Sequence, residues 1–182
     1  LKRATIDTCI FNLETSYDNS TDKKKAFLHV FWNEFNGKRG FNKFNITMAQ
    51  HLEKPLADKG VFEAFKKRIA EEGGDWNDPG MAADMIDNEL SLVLDIAAEL
   101  APSLDKESIR ERIIKRDTNM SIERFGGELA AYLKDKGDDY RLILLADEVS
   151  QFINKERDRY LNLQEIITKL SESCGNKVWV AC

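Results

Sequence analysis

Arg141-Leu142-Ile143-Leu144-Leu145-Ala146-Asp147-Glu148 decides how this chain is read. Six residues run without a polar break apart from the opening arginine, and the run then stops at two acids. Gly137-Asp138-Asp139 stands just before it and signals a turn. A continuous apolar run this short, bounded by a turn, reads as a strand buried on both faces, as in a parallel sheet. Two more segments have the same character. Ala4 to Leu13 carries Ile6, Cys9, Ile10, Phe11 and Leu13, and Lys177-Val178-Trp179-Val180-Ala181-Cys182 forms the third.

Most of the remainder has helical spacing. Lys23 to Asn36 places Phe27, Val30, Phe31 and Phe35 on one side and is closed by Gly37. Val61 to Ala70 carries Phe62, Phe65 and Ile69 ahead of Gly73-Gly74. Met81 to Leu100 is the longest helix expected, stopped by Pro102. Ser121 is suited to cap a helix bearing Phe125, Leu129 and Leu133. Asn162 to Ser173 carries Leu163, Ile166, Ile167 and Leu170, with Gly175 placed to end it. The organisation is strand, long helical stretch, strand, helix, strand. Residues 141–182 make a βαβ unit, and the stretch between the first two strands is far longer than a crossover requires. The expected division is 1–36 as the first strand and helix of a core, 37–120 as a helical insertion, and 121–182 as the rest of the core. The segment from Gly73 to Gly80 is the insertion's main internal break, where Trp76 offers an exposed contact residue.

The bulk numbers suit a soluble globular chain. There are 182 residues, 42% hydrophobic and 32% charged, with net charge −5. That balance gives no support for DNA contact. No apolar run reaches the ~18–20 residues that cross a bilayer, and no membrane partner is expected. Cys9, Cys174 and Cys182 are odd in number and lack a CxxC spacing, which fits buried, reduced thiols in a cytoplasmic protein. His29 and His51 are too few and too far apart to hold a metal alone. Phe31, Trp32 and Phe35 fit a packed helix face better than a base-stacking platform.

The apolar run ending in Asp147-Glu148 has the Walker B pattern. A buried parallel strand delivers its carboxyl end to the crevice where ligands bind in open α/β sheets. The first acid can hold Mg²⁺, usually through water, and the second can orient or deprotonate an attacking water. Lys155, Arg157 and Arg159 follow. One of them could act as an arginine finger, but Glu156 and Asp158 alternate with them and favour a solvated face. Gln151 could touch a substrate water, although turn polarity explains it equally well.

The wider context has a family resemblance. Asp147-Glu148-Val149-Ser150-Gln151-Phe152-Ile153, Leu161-Asn162-Leu163-Gln164 and Cys174-Gly175-Asn176-Lys177-Val178-Trp179-Val180 follow one another in order. The succession resembles D-E-V-x-Q-[FY]-I, L-N-L-Q and C-G-x-x-x-W-V in the large P-loop ATPase of bacteriophage-exclusion (BREX) systems, the BrxC/PglY-like family. Cys9 to Glu14, Ala26-Phe27-Leu28 and Ser121 to Phe125 are similar to further segments of that family. Residues 141–180 carry the resemblance most fully, and the insertion contributes little.

The resemblance implies an α/β fold: a partial P-loop NTPase (AAA-like) core with a mainly parallel sheet and a large helical insertion. It implies an ATP-hydrolysing enzyme of phage defence, with Asp147 as the Mg²⁺-associated, nucleotide-side acid and Glu148 as the catalytic glutamate. Its partners would be further copies in a homo-oligomer and other phage-defence proteins.

One departure is plain. No G-x-x-x-x-G-K-[ST] occurs, and Gly37-Lys38-Arg39 lacks both the preceding glycine and the hydroxyl. The chain also begins without Met and ends within a strand run. The expectation is therefore an excised fragment, with the phosphate-binding loop upstream of Leu1 and a polar sensor-type residue beyond Cys182. ATP and Mg²⁺ would serve the full-length protein, while the fragment alone would bind neither tightly and would be inactive. The competing reading is a non-catalytic protein-interaction module with a degenerate NTPase fold. A metal nuclease is disfavoured, because two adjacent acids alone do not form a two-metal clamp.

Overall fold

The computed structural model describes residues 4–13, 23–78, 85, 87–154 and 156–182. In chain order the elements are β1 (Thr5–Asn12), a 3₁₀ turn (Lys23–Lys25), α1 (Ala26–Lys38) and α2 (Ile46–Met48). A π-helical segment (Ala49–Glu53) leads into α3 (Lys54–Asp58), α4 (Phe62–Glu71), α5 (Asp87–Leu100) and α6 (Lys106–Ile114). The chain then forms α7 (Ile122–Lys134), β2 (Tyr140–Asp147), α8 (Val149–Ile153), α9 (Arg157–Cys174) and β3 (Val178–Ala181). It divides into two compact units, 1–35 together with 120–182, and 36–119. No helix among the described residues is long and apolar enough to cross a membrane.

The first unit is mixed α/β. Its sheet is parallel throughout, in the order β1-β2-β3, so the strand ending in the two acids lies at the centre. Thr5 pairs with Tyr140 and Asn12 with Asp147, while Leu142 pairs with Val178 and Leu145 with Ala181. Alternation then sorts the side chains. Cys9, Phe11, Tyr140, Leu142, Leu144, Ala146 and Val178 are buried on one face. On that face α1 sets Phe31 edge-on to Phe11 at 5.3 Å, and α7 sets Tyr132 against Tyr140 at 6.2 Å.

The other face departs from the expectation of burial on both sides. Ile6 is 64% exposed, Ile10 68%, Leu145 38% and Trp179 61%. The connections explain this. β1 to β2 and β2 to β3 step across the sheet in the same direction, and right-handed crossovers in one direction place their helices on one face.

Three local devices fix the helices of this unit. Helix α1 is apolar nearly all round, with Ala26, Phe27, Leu28, Val30, Phe31, Trp32 and Phe35 buried, as expected of a helix surrounded by core. The buried side chain of Asn162 accepts from the N–H of Phe27 at 3.1 Å and of Leu28 at 3.2 Å, meeting first-turn donors of α1. Ser121 caps α7 through the Arg124 N–H, and Gly175, at φ 54°, closes α9 in the left-handed conformation. Helix α9 begins at Arg157, five residues before the apolar spacing of 162–173 announces it. Its first turn is mostly charged and therefore carries no apolar period.

Among the described residues the 36–119 unit contains helices and turns only. Phe65, Leu52, Leu56, Met48, Ile69 and Leu94 are at the centre of its core. Met81, where the longest helix was expected to begin, lies outside the described residues, as do Pro79 and Gly80. The described helix runs from Asp87 and ends at Leu100, ahead of Pro102. Helices α2, α3 and α6 carry too few periodic apolar residues to stand out in the sequence.

Candidate functional site

The site is at the carboxyl end of the central strand. Asp147 is the last residue of β2 and is exposed, because alternation turns it to the open face. Its register partner Asn12 ends β1 and shares that face. Glu148 comes next and has left-handed backbone, φ 59° and ψ 28°. A non-glycine residue held there costs about 1–3 kcal/mol and persists only where its surroundings hold it. Here they do. The Glu148 N–H donates to Asp147 Oδ1 at 2.8 Å, and the Glu148 carbonyl accepts from Phe152 N–H at 2.9 Å. Its carboxylate Oε2 accepts from Asn12 Nδ2 at 2.6 Å. These bonds hold the two adjacent acids in place, and the structure sets Asn12 beside them. The sequence offered one signal for it: a polar residue ending the strand that a parallel sheet would set beside the acids.

To a cation this cluster offers carboxylate oxygens, those of Asp147 and Glu148, while Asn12 turns its amide nitrogen to Glu148. That donor set suits a hard ion such as Mg²⁺, which takes one or two carboxylates and keeps several waters. Among the described residues no group of three or more His, Cys, Asp or Glu side chains could form an all-protein metal cage.

Of the described residues after the acids, only Arg159 departs from its sequence reading. Gln151 and Arg157 are exposed, and Lys155 lies outside the described residues. Arg159 is not simply solvated. Its guanidinium lies over the Phe152 ring, 4.4 Å from the centroid, and donates to the Phe152 carbonyl. A flat cation stacks on an aromatic face and satisfies a helix-end carbonyl at once, so packing outweighs hydration here. Phe152 is buried and meets Phe27 of α1 edge-on at 5.0 Å.

Other candidates resolve as structural. Phe31, Trp32 and Phe35 are fully buried. His29 Nδ1 lies 3.2 Å from Asn33 Nδ2, and His51 Nε2 lies 2.7 Å from the Asp117 carbonyl. None of the three cysteines forms a disulfide. Cys9 and Cys174 are buried, and burial pushes the Cys174 thiol up to about 11. Cys182 is exposed, against the expectation of a buried thiol, because it lies one residue past the last strand position. Trp76 is likewise corrected: it is buried, and its indole N–H donates to Glu53 Oε1 at 2.7 Å. A buried carboxylate removes the reason for the indole to stay at the surface.

Gly37 lies in the last turn of α1, and the N–H groups of Arg39, Gly40 and Phe41 are engaged by the Asn36 and Gly37 carbonyls. That segment is a helix end, where carbonyls and not N–H groups are left over, so it does not make a phosphate cradle. No protein-family model matches the chain, and no solved structure matches its fold.

Proposed function

We propose that this chain carries the acid-bearing part of a P-loop ATPase core, of the kind that serves bacteriophage-exclusion systems in the bacterial cytoplasm. The observation that supports it best is the placement of Asp147 and Glu148 at the carboxyl end of the central parallel strand, with Asn12 beside them. In open α/β sheets ligands bind beyond the carboxyl ends of the strands, at the point where the strand order reverses; β1, β2 and β3 step in one direction, so this reading sets that reversal beyond them.

In this reading Mg²⁺, when bound, neutralises charge on the phosphate oxygens of ATP. Asp147, exposed at the strand end, would be the residue that holds that ion. Glu148 orients the attacking water and takes its proton on Oε1, while Asn12 holds the same carboxylate by Oε2. Asp147 also braces the Glu148 backbone through its N–H, so the two acids act as one positioned pair. The phosphate-binding loop belongs to another part of the full-length protein.

The open sheet face supports that last point. A right-handed crossover that reached β1 from a strand beyond β3 would step across the sheet in the opposite direction. Its helix would therefore cover the face bearing Ile6, Ile10, Leu145 and Trp179. A strand, phosphate loop and helix in that order fit both the open face and the edge of β3 that no strand among the described residues pairs.

The test is paired substitution in the full-length protein. Glu148→Gln should keep nucleotide binding and lower turnover at least ~10²-fold, the lower end of general-base contributions. Asp147→Asn should weaken Mg²⁺-dependent binding instead. Near-normal turnover in Glu148→Gln would make that acid structural, and a non-catalytic interaction module would then be the better account.

A further inference from the structure

We infer that Arg159 is the positioning residue of Glu148, acting through Phe152 across the single turn of α8. The inference rests on the reading of Glu148 as the working carboxylate, but its test requires no turnover.

Helix α8 has five residues, too few to be stable alone. It is bounded by two residues in left-handed conformation, Glu148 at φ 59° and Asn154 at φ 37°. Such a segment is a unit joined by a bend at each end, and its orientation must be imposed from outside. Two contacts impose it. From the inside, the Phe152 ring packs edge-on against Phe27. From α9, Arg159 stacks over the Phe152 ring and donates to the Phe152 carbonyl.

Phe152 then passes the restraint on. Its N–H donates to the Glu148 carbonyl at 2.9 Å, the hydrogen bond that closes the turn. The Glu148 carboxylate in turn meets Asn12 across 136 positions of sequence. The far end of the relay is also anchored. Asn162 is one helical turn after Arg159 on α9 and holds the start of α1 through the Phe27 and Leu28 N–H groups. Phe27, Phe152, Arg159 and Asn162 therefore form one closed circuit around α8. Removing Arg159 opens that circuit next to the residue whose backbone is strained.

Lysine does not replace arginine here. An ammonium could reach the carbonyl, but it lacks the planar face that lies on the ring.

The experiment is NMR on the 182-residue chain. In Arg159→Lys the Phe152 amide should exchange with solvent roughly tenfold or more faster, and the Asn12 side-chain amide should shift and broaden, while β2 amides stay protected. Phe152→Leu, which keeps the carbonyl and removes the ring, should show the same changes to a smaller degree. Unchanged Phe152 exchange and an unchanged Asn12 signal in Arg159→Lys and Arg159→Ala would overturn the inference. In the full-length protein Arg159→Lys should lower kcat with KM for ATP unchanged. If the NMR changes appear while the full-length wild type shows no turnover, the restraint stands and the ATPase reading falls.

Discussion

Trp76 Nε1 donates to Glu53 Oε1 at 2.7 Å, while Glu53 Oε2 accepts from the Asn42 N–H at 2.6 Å. One carboxylate, 1% exposed, thus joins three separate segments of the 36–119 unit. Burial raises its pKa from 4.5 to about 7, against the lowering effect of the two hydrogen bonds and of Lys66.

Stability should follow that shift. The folded state keeps the Glu53 proton over a range where the unfolded chain has released it. The contribution is therefore fully present below about 4.5 and lost as pH rises to about 7, flat thereafter. The loss is on the order of 3 kcal/mol. Glu53→Gln should remove this slope, and it should also lower stability at pH 4–5, because its amide turns donors toward a donor. Urea unfolding followed by Trp76 fluorescence in a background carrying Trp32→Phe and Trp179→Phe, at steps from pH 4 to 8 with and without Glu53→Gln, checks both outcomes.

Asn162→Ala should destabilise the first unit by about 2–4 kcal/mol, since it leaves the Phe27 and Leu28 N–H groups without their buried acceptor. Asn162→Asp should cost less, because it keeps the acceptor and sets negative charge at a helix start. Chemical denaturation of the three proteins gives the order. Equal losses in both variants would show that an acceptor oxygen at position 162 is not what holds the start of α1.

Asn12→Asp should disturb the site more than Asn12→Ala. Alanine removes one donor from the Glu148 carboxylate, worth about 1 kcal/mol at a half-exposed position. Aspartate adds a third acid to an adjoining pair, and that repulsion should weaken with added salt. Thermal unfolding at low and high ionic strength separates the two. A variant order independent of salt would mean that the contact is steric.

The chain as given should bind MgATP weakly, with Kd above ~1 mM by calorimetry, because nothing in its sequence supplies a glycine-rich phosphate loop. Micromolar, Mg²⁺-dependent binding would require a nucleotide site that the sequence reading missed.

What could be read from the sequence was local. β2 announced itself by an apolar run closed by acids, Ser121 by its place before a periodic segment, and Gly175 by following one. What could not be read depends on distant partners. Asn12 acquires its significance from a residue 136 positions away. Trp76 stands among Gly, Asp and Asn, which reads as surface, until Glu53 comes to meet its indole. Pro55 argues against a helix through 46–58, but it follows the π-helical segment closely, where the widened turn accommodates a ring and a missing N–H. Strand runs likewise do not say which face will be covered. Ile6 and Cys9 look equally apolar, and only the direction of the crossovers separates them.

The pairing of Asn12 with Asp147 has a consequence for how this region tolerates change in length. Because side chains alternate along a strand, deleting or inserting one residue in β1 would turn Phe11 toward the open face and bring Asn12 into the core. A change of two residues would keep every face but move Asn12 some 7 Å along the strand, out of reach of Glu148. Substitutions on the open face leave the register as it is, whereas a gap of any length between Thr5 and Asn12 separates the amide from the acids. Among natural variants of this chain, the spacing from Thr5 to Asn12 should therefore be kept more strictly than the identity of the residues between them.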